Sequence, residues 1–308
     1  MAQDDIDTAV GFTIPARNVR GRAVRLGGVL NDVLSAHDYP PVIARLLAEA
    51  LTLAALLGSM LKEAGSQLTL QAQTENGPIS LLVTDYKAND DGSGEVRGYV
   101  DFDMDRLIEL GGDPSLFGLF GKGYLALTFD QVQSEGIPGS RYQGVVPLEG
   151  ESLAKAVELY FAQSEQIPSF VKVAAAPQGD GWIAGGVLIQ HLPEGEVGRE
   201  RLHVDHDHPE WEHVQILAHT LKPEELTDTA LPLTDIFWRL FHEEEEVRVL
   251  SNIKIEKGCR CSAQYFREVL SRFGGEERAQ MADDAGNINV DCAFCSRIFP
   301  VSLVSFAN

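Results

Sequence analysis

The sequence is sparing with cysteine, with positive charge and with long apolar runs. Four cysteines in 308 residues are too few for a disulfide-stapled secreted scaffold, which is dense in that residue. The 25 Lys and Arg are outnumbered by 46 Asp and Glu, a formal net charge of −21. That imbalance disfavours nucleic acid and anionic membranes as partners, because phosphate contacts need a clustered basic face. The longest charge-free apolar run, Ala50 to Leu61, has twelve residues, too short to span a bilayer. Met1 to Arg20 begins acidic, with Asp4, Asp5 and Asp7, and lacks the apolar core of a secretory signal. There is no Gly-x-Ser-x-Gly elbow. The segment Gly118-Leu119-Phe120-Gly121-Lys122-Gly123 misses a phosphate loop, which needs four residues between its glycines and Ser or Thr after the lysine. The expectation from these absences is a cytoplasmic protein that is not an enzyme.

Apolar residues at 44% and charged residues at 23% describe an ordinary globular chain, and its length allows about two domains. The charge is unevenly spread. Residues 251–308 hold seven basic and seven acidic side chains, so the first 250 residues, with 18 basic and 39 acidic, carry the whole −21. All four cysteines, Cys259, Cys261, Cys292 and Cys295, lie in the neutral tail.

Pro41 to Ala64 reads as one long helix, apolar around most of its circumference and therefore expected to be buried. Strand-like runs follow at Gln67–Thr74, Ile79–Tyr86, Glu95–Phe102, Gly123–Gln131 and Tyr142–Pro147, separated by turn signals such as Asp90-Asp91-Gly92-Ser93-Gly94. A helix from Ser152 to about Gln166 precedes strands near Phe170–Ala175 and Trp182–Gln190. The fold class expected is α+β: an N-terminal domain of β-sheets packed around a buried helix over residues 1–195. Residues 196–257 are expected to form an acidic helical linker. Helices are expected there at Pro209–Leu221 and Leu231–Glu246, the second with an apolar stripe of Leu233, Ile236, Phe237, Leu240 and Phe241 that packs on the first domain. Trp211 and Trp238 are expected in the core. His203, His206, His208, His213 and His219 crowd the same stretch beside Asp205 and Asp207, but their spacing fits no standard metal motif.

Residues 258–308 are expected to form a small zinc-binding module. Cys259-Arg260-Cys261, a gap of thirty residues, then Cys292-Ala293-Phe294-Cys295 supply four thiolates, the ligand set of a closed tetrahedral structural zinc site. Calcium and magnesium prefer oxygen. The 37 residues from Cys259 to Cys295 fall below the ~40 at which a module usually needs a metal or disulfides to fold. Binding one zinc and folding should then be a single event. Four thiolates around Zn²⁺ carry a formal −2, and Lys254, Lys257, Arg260 and Arg297 stand close in sequence to favour the thiolate form. The one-residue spacer of the first pair is shorter than zinc fingers use, and residues two apart come within disulfide reach. A permanent zinc knob and an oxidisable switch both remain open on these residues alone.

The chain resembles the bacterial redox-regulated heat-shock holdases, the 33 kDa chaperonin family. The resemblance rests on the C-x-C and C-x-x-C pairs with their long gap, and on Arg141-Tyr142-Gln143-Gly144-Val145-Val146 with Leu148-Glu149-Gly150. It rests also on Tyr160-Phe161 with Ser164-Glu165-Gln166, on Phe237-Trp238-Arg239-Leu240-Phe241-His242-Glu243-Glu244-Glu245, and on His37-Asp38-Tyr39-Pro40. It covers nearly the whole chain in order. The resemblance implies an ATP-independent chaperone of the oxidative stress response, monomeric when reduced with zinc on the four cysteines. Oxidation would form the disulfides Cys259–Cys261 and Cys292–Cys295, release the zinc, unfold the module and then the linker, and yield a homodimer that holds unfolding client proteins. Two other classes compete: a thiol–disulfide oxidoreductase acting through Cys292 and Cys295, and a constitutive zinc module that docks partners.

Overall fold

The computed structural model describes residues 5–74, 76–132, 139–148, 150–193 and 208–306. Strands β1 (Thr8–Ile14) and β2 (Val19–Leu26) form a hairpin, followed by helices α1 (Gly28–Leu34) and α2 (Pro41–Gly58). Three antiparallel strands come next, β3 (Gln67–Thr74), β4 (Ile79–Ala88) and β5 (Gly94–Phe102), then short helices α3 (Met104–Leu110) and α4 (Leu116–Phe120). The hairpin β6 (Gly123–Gln131) and β7 (Ser140–Pro147) leads to α5 (Leu153–Tyr160), a π turn at Phe161–Glu165, and the hairpin β8 (Ser169–Gln178) and β9 (Gly181–His191). Helices α6 (Pro209–His219), α7 (Pro223–Thr227) and α8 (Leu233–Phe241) precede two short strands, β10 (Arg248–Val249) and β11 (Ile253–Lys257). The chain ends in α9 (Ala263–Leu270), α10 (Gly275–Met281) and the hairpin β12 (Asn287–Asp291) and β13 (Ile298–Ser302).

Helix α2 is the centre of the α+β fold. Only Pro41, Val42, Arg45 and Glu49 along its 18 residues escape full burial. They fall on one narrow stripe at helical spacing. It is long and apolar enough by length and composition to cross a membrane, yet 78% of its span is buried inside the fold. Two antiparallel half-sheets cover it, ordered β7-β6-β3-β4-β5 and β1-β2-β9-β8. Their strands alternate as period two demands: Leu68, Leu70 and Ala72 of β3 point into the core with Val96 and Val100 of β5. The helix stops at Gly58 rather than Ala64. A Cβ at Gly58 would lie 2.1 Å from Cγ of Tyr86, so the ring of β4 presses directly on the backbone where the helix ends.

The half-sheets are joined by β11. It pairs antiparallel with β1 through Thr8↔Lys254 and Ala9↔Ile253, and parallel with β5 through Ile255↔Gly94, Glu256↔Glu95 and Lys257↔Val96. Ile255 is buried in the main core. The last ten residues of the expected helical linker are therefore largely strand, since β10 also pairs with β1. The alternation Ile253-Lys254-Ile255-Glu256 carries that strand, and acidic surroundings obscure it in the sequence.

A second core lies on the far face of β1-β2-β9-β8. Trp211, Val214 and Ala218 of α6, Leu226 of α7 and the full stripe of α8 cover Val10, Phe12, Ile14, Phe170, Val187 and Ile189. Phe12 meets Phe237 at 4.2 Å and Phe241 at 5.7 Å between ring centroids. The expected packing of that stripe is thus observed, but Trp238 is 66% exposed. It sits one position past Phe237, about 100° around the helix from it and away from the sheet. Helix α8 also ends at Phe241 instead of Glu246, because glutamates crowded at a helix C-terminus oppose the macrodipole and each other. Glu244 turns back instead, with Oε2 accepting from Nε of Arg17 at 2.9 Å and Oε1 3.1 Å from Nε2 of His213.

His203, His206, Asp205, Asp207 and Glu149 lie outside the described residues. His208 caps α6 through Nδ1, which accepts from the amide of Glu210 at 3.3 Å, and His219 packs edge-on against Phe170.

Arg25 of β2 is fully buried and donates to the carbonyls of Leu226 (3.0 Å), Leu231 (2.8 Å) and Glu225 (3.2 Å). It therefore ties α7 and the approach to α8 onto the sheet. Arg25→Met is expected to leave those carbonyls without a donor and cost about 2–4 kcal/mol. Urea unfolding should show the loss, and hydrogen exchange should rise first in α7 and α8; unchanged exchange there would refute the anchoring role.

On α2, burial raises the Glu49 carboxyl to about 7, against the pull of Arg45. A carboxyl raised in the folded state stabilises it fully only below its ordinary value, 4.5, and that contribution is lost as pH rises through 7. Glu49→Gln should therefore stabilise the protein by about 1–2 kcal/mol at pH 8. The gain should fade towards about pH 4, and urea titrations at the two pH values measure the difference.

Candidate thiol-metal centre

The chain leaves β11 at Lys257 and reaches Cys259 two residues later, with the Gly258 amide bonded to the carbonyl of Val96 at 3.0 Å. Cys259 and Cys261 flank Arg260 in an extended turn, and Ser262 then caps α9, its Oγ accepting from the amide of Tyr265 at 3.1 Å. Cys292 and Cys295 occupy the turn between β12 and β13. The Cys292 amide bonds the Arg297 carbonyl at 3.0 Å, and the amides of Cys295 and Ser296 both bond the carbonyl of Cys292, at 3.2 and 2.8 Å. Ser296 takes a left-handed φ of 54° to close that turn.

The fold brings the four predicted sulfurs to one place, all within 4.8 Å of one another. Cys259 Sγ lies 3.1 Å from Cys261 and 3.6 Å from Cys292, and Cys261 Sγ lies 3.5 Å from Cys295. Four sulfurs at ~2.3 Å from a central zinc would be about 3.8 Å apart, so the donor set and its spread fit a tetrahedral metal site. No other group of His, Cys, Asp or Glu among the described residues is placed to hold an ion. Cys292 is buried and the other three are partly exposed.

Burial opposes ionisation of Cys259, but hydrogen bonds from Cys261, Cys295 and Cys292 outweigh it and lower this thiol to about 7. The same burial and the shared protons raise Cys261 and Cys292. Burial and proton sharing thus oppose ionisation of Cys261 and Cys292, and a cation among the sulfurs would supply the charge that favours their thiolates.

The module has little else to hold it. Its apolar core consists of Leu270, Ile288 and Val301 with half-buried neighbours such as Phe266 and Phe306. It rests on the outer face of the β3-β4-β5 sheet, where period two points Arg97 and Tyr99 outward. Phe294, inside the second cysteine pair, stands edge-on to Tyr99 at 5.0 Å, and the guanidinium of Arg97 lies 3.9 Å from its centroid. Arg97 is fixed by Asp85 at 2.6 Å, and Asp85 also accepts from Thr69 Oγ1 at 2.7 Å. Arg260 reaches Gln67, and Ser296 Oγ meets Nδ1 of His37 at 3.1 Å. A cavity of about 450 Å³ remains between module and sheet, lined by Arg97, Tyr99, Arg260, Tyr265 and Phe294 among others.

All four cysteines are legible in the sequence, whereas Arg97, Tyr99 and Phe294 are not legible there as a docking set. The aromatic between the second pair was the available signal; nothing local marks its partners, nearly 200 positions earlier.

The class of protein is thus an α+β core, wrapped by a helical segment, that carries a four-cysteine module suited to a metal ion. A family model described as "Hsp33 protein" matches residues 7–302. The 33 kDa chaperonin of Caulobacter vibrioides (strain NA1000 / CB15N) is 41% identical over 303 residues, covering 96% of this chain and 94% of that protein. The 33 kDa chaperonin of Yersinia pestis (strain Pestoides F) is 34% identical over 290 residues, covering 94% and 90%. The crystal structure of the 33 kDa chaperonin from Thermotoga maritima matches with a TM-score of 0.78 over 98% of this chain and 97% of that one, at 24% identity, a likeness of fold. This chain belongs to the Hsp33 family of chaperones.

Phe294→Ala removes an edge-on aromatic pair and a cation–π contact, together worth about 1–2 kcal/mol of docking. The variant's thiols are expected to react roughly tenfold faster with an aromatic disulfide reagent, with unchanged urea stability of the core. Wild-type thiol kinetics in the variant would show that Phe294 does not hold the module down.

Proposed function

We propose that this chain is a redox-switched, ATP-independent holdase of the cytoplasm. Its chaperone core spans 1–195, its acidic linker 196–257 and its switch module 258–308. Cys259, Cys261, Cys292 and Cys295 bind one zinc ion in the reduced, monomeric protein. When bound, the metal crosslinks the module and supplies the charge that keeps four thiolates ionised.

Each cysteine pair gives two electrons to one equivalent of a peroxide, whose O–O bond breaks and takes up solvent protons to leave water, or of a small disulfide, whose S–S bond breaks to leave two thiols. One S–S bond forms in Cys259–Cys261 and one in Cys292–Cys295, four electrons leaving in all, and the four sulfurs cease to be donors. The cross-pair sulfurs, 3.5 and 3.6 Å apart, lie only a few tenths of an ångström farther than the 3.1 Å of the first pair, so proximity alone does not select the pairing. Disulfides within each pair close loops of only a few residues and constrain the chain little. Oxidation therefore replaces a crosslink over the whole module with two local ones. The module's small apolar core is insufficient to keep it folded, and its loss frees the linker. Exposed apolar surface then holds unfolding client proteins, with the oxidised chain dimeric. The linker's acidic charge helps keep such complexes soluble.

The observation that carries this function is the meeting of four thiols in a module whose own apolar core is Leu270, Ile288 and Val301. A dithiol oxidoreductase is disfavoured, because Cys292 and Cys295 sit in a hairpin turn rather than at the start of a helix. We expect reduced protein to contain one zinc per chain and to suppress a heat-unfolding client's aggregation weakly. After oxidation, zinc should appear in solution and suppression should rise. Equal suppression before and after oxidation would refute the switch.

A further inference from the structure

Of the strands paired on both sides in the main sheet, β11 has the shortest ladders. It pairs with β1 and β5 over two and three residues, whereas β2 pairs with β9 all the way from Val19↔His191 to Leu26↔Ala184. The preceding residues Ser251 and Asn252 are exposed and interrupt the run between β10 and β11. Yet the slot that holds it is well formed. The Ile255 amide donates to the carbonyl of Asp7 at 2.7 Å, and the Gly258 amide to Val96 at 3.0 Å. Ile255 is 1% exposed in the main core, and half-buried Ile253 packs against the same core. Lys254 is exposed and its ammonium pairs with Glu256 at 2.6 Å. The slot therefore reads backbone on both sides and accepts an apolar-x-apolar segment on one face.

We infer that this slot between β1 and β5 is a client-binding site, taking an extended apolar-x-apolar segment of an unfolded protein after β11 leaves. The inference rests on the redox switching proposed above. β11 ends two residues before Cys259, so loss of the module removes the anchor at its C-terminal end. Two open strand edges with an apolar hole between them then face solvent, and core packing of α2 against both half-sheets keeps them apart. Unfolded chains offer such segments in abundance, and pairing on two edges satisfies backbone groups that neither partner can leave bare.

The test uses full-length protein and a fluorescent peptide with the sequence of Val249 to Lys257, alongside the same peptide carrying Ile255→Asp. The parent peptide should bind oxidised protein at least tenfold more tightly than reduced protein and displace a held client. It should restore hydrogen-exchange protection at the amides of Thr8–Ile14 and Gly94–Phe102, and the Asp peptide should bind at least tenfold more weakly. Absence of binding, binding without client displacement, equal binding of both peptides, or protection elsewhere each overturns the assignment. So does protection of the same amides that grows with protein concentration and excludes the peptide, which would give the slot to β11 of a second copy. Failure of redox switching shows separately, as oxidised protein that suppresses no aggregation; peptide binding and exchange still decide the slot in that sample.

Discussion

Burial of α2 on nearly every face is the constraint from which the rest of the architecture follows. A helix with one narrow polar stripe has to be enclosed, and a single flat sheet covers only one side. Two half-sheets divide the task, one built from the strands immediately after the helix and one from both ends of the core. Their meeting line would leave a gap in the core, and β11 fills it with the buried Ile255. The strand that closes the core is also the one that leads into the cysteines.

The linker is held to this core by a different balance. Its helices bury Trp211, Phe237 and Phe241 against β1, yet the fixing points are ionic and polar. Arg25 donates to three backbone carbonyls from beneath, and Arg17 gathers Glu210 and Glu244 at the edge. Such an arrangement is specific in register while leaving the outer faces acidic.

Local pattern made much of this legible. The buried helix, the alternation of β3 to β9, the α8 stripe and the four thiols all advertise themselves by spacing, because each depends on neighbours within a few residues. The errors arose where a distant partner decides. Ile253-Lys254-Ile255-Glu256 alternates as a strand, but five residues with two lysines and a glutamate carry little weight beside an acidic helical stretch. Trp238 looks like core by composition and is exposed by a rotation of one residue.

The chain's chemistry was thus determined by sequence alone: four cysteines in two tight pairs, in a formally neutral tail that follows an acidic body. Where that chemistry is coupled to the fold was decided only by the tertiary structure. The slot for β11 brings together Asp7, Val96 and Ile255, and the seat for Phe294 brings together Arg97, Tyr99 and Asp85. These partners lie roughly 160 to 250 positions apart along the chain. Backbone edges and cation–aromatic contacts are satisfied by whatever the fold delivers to them, so no local periodicity announces the match.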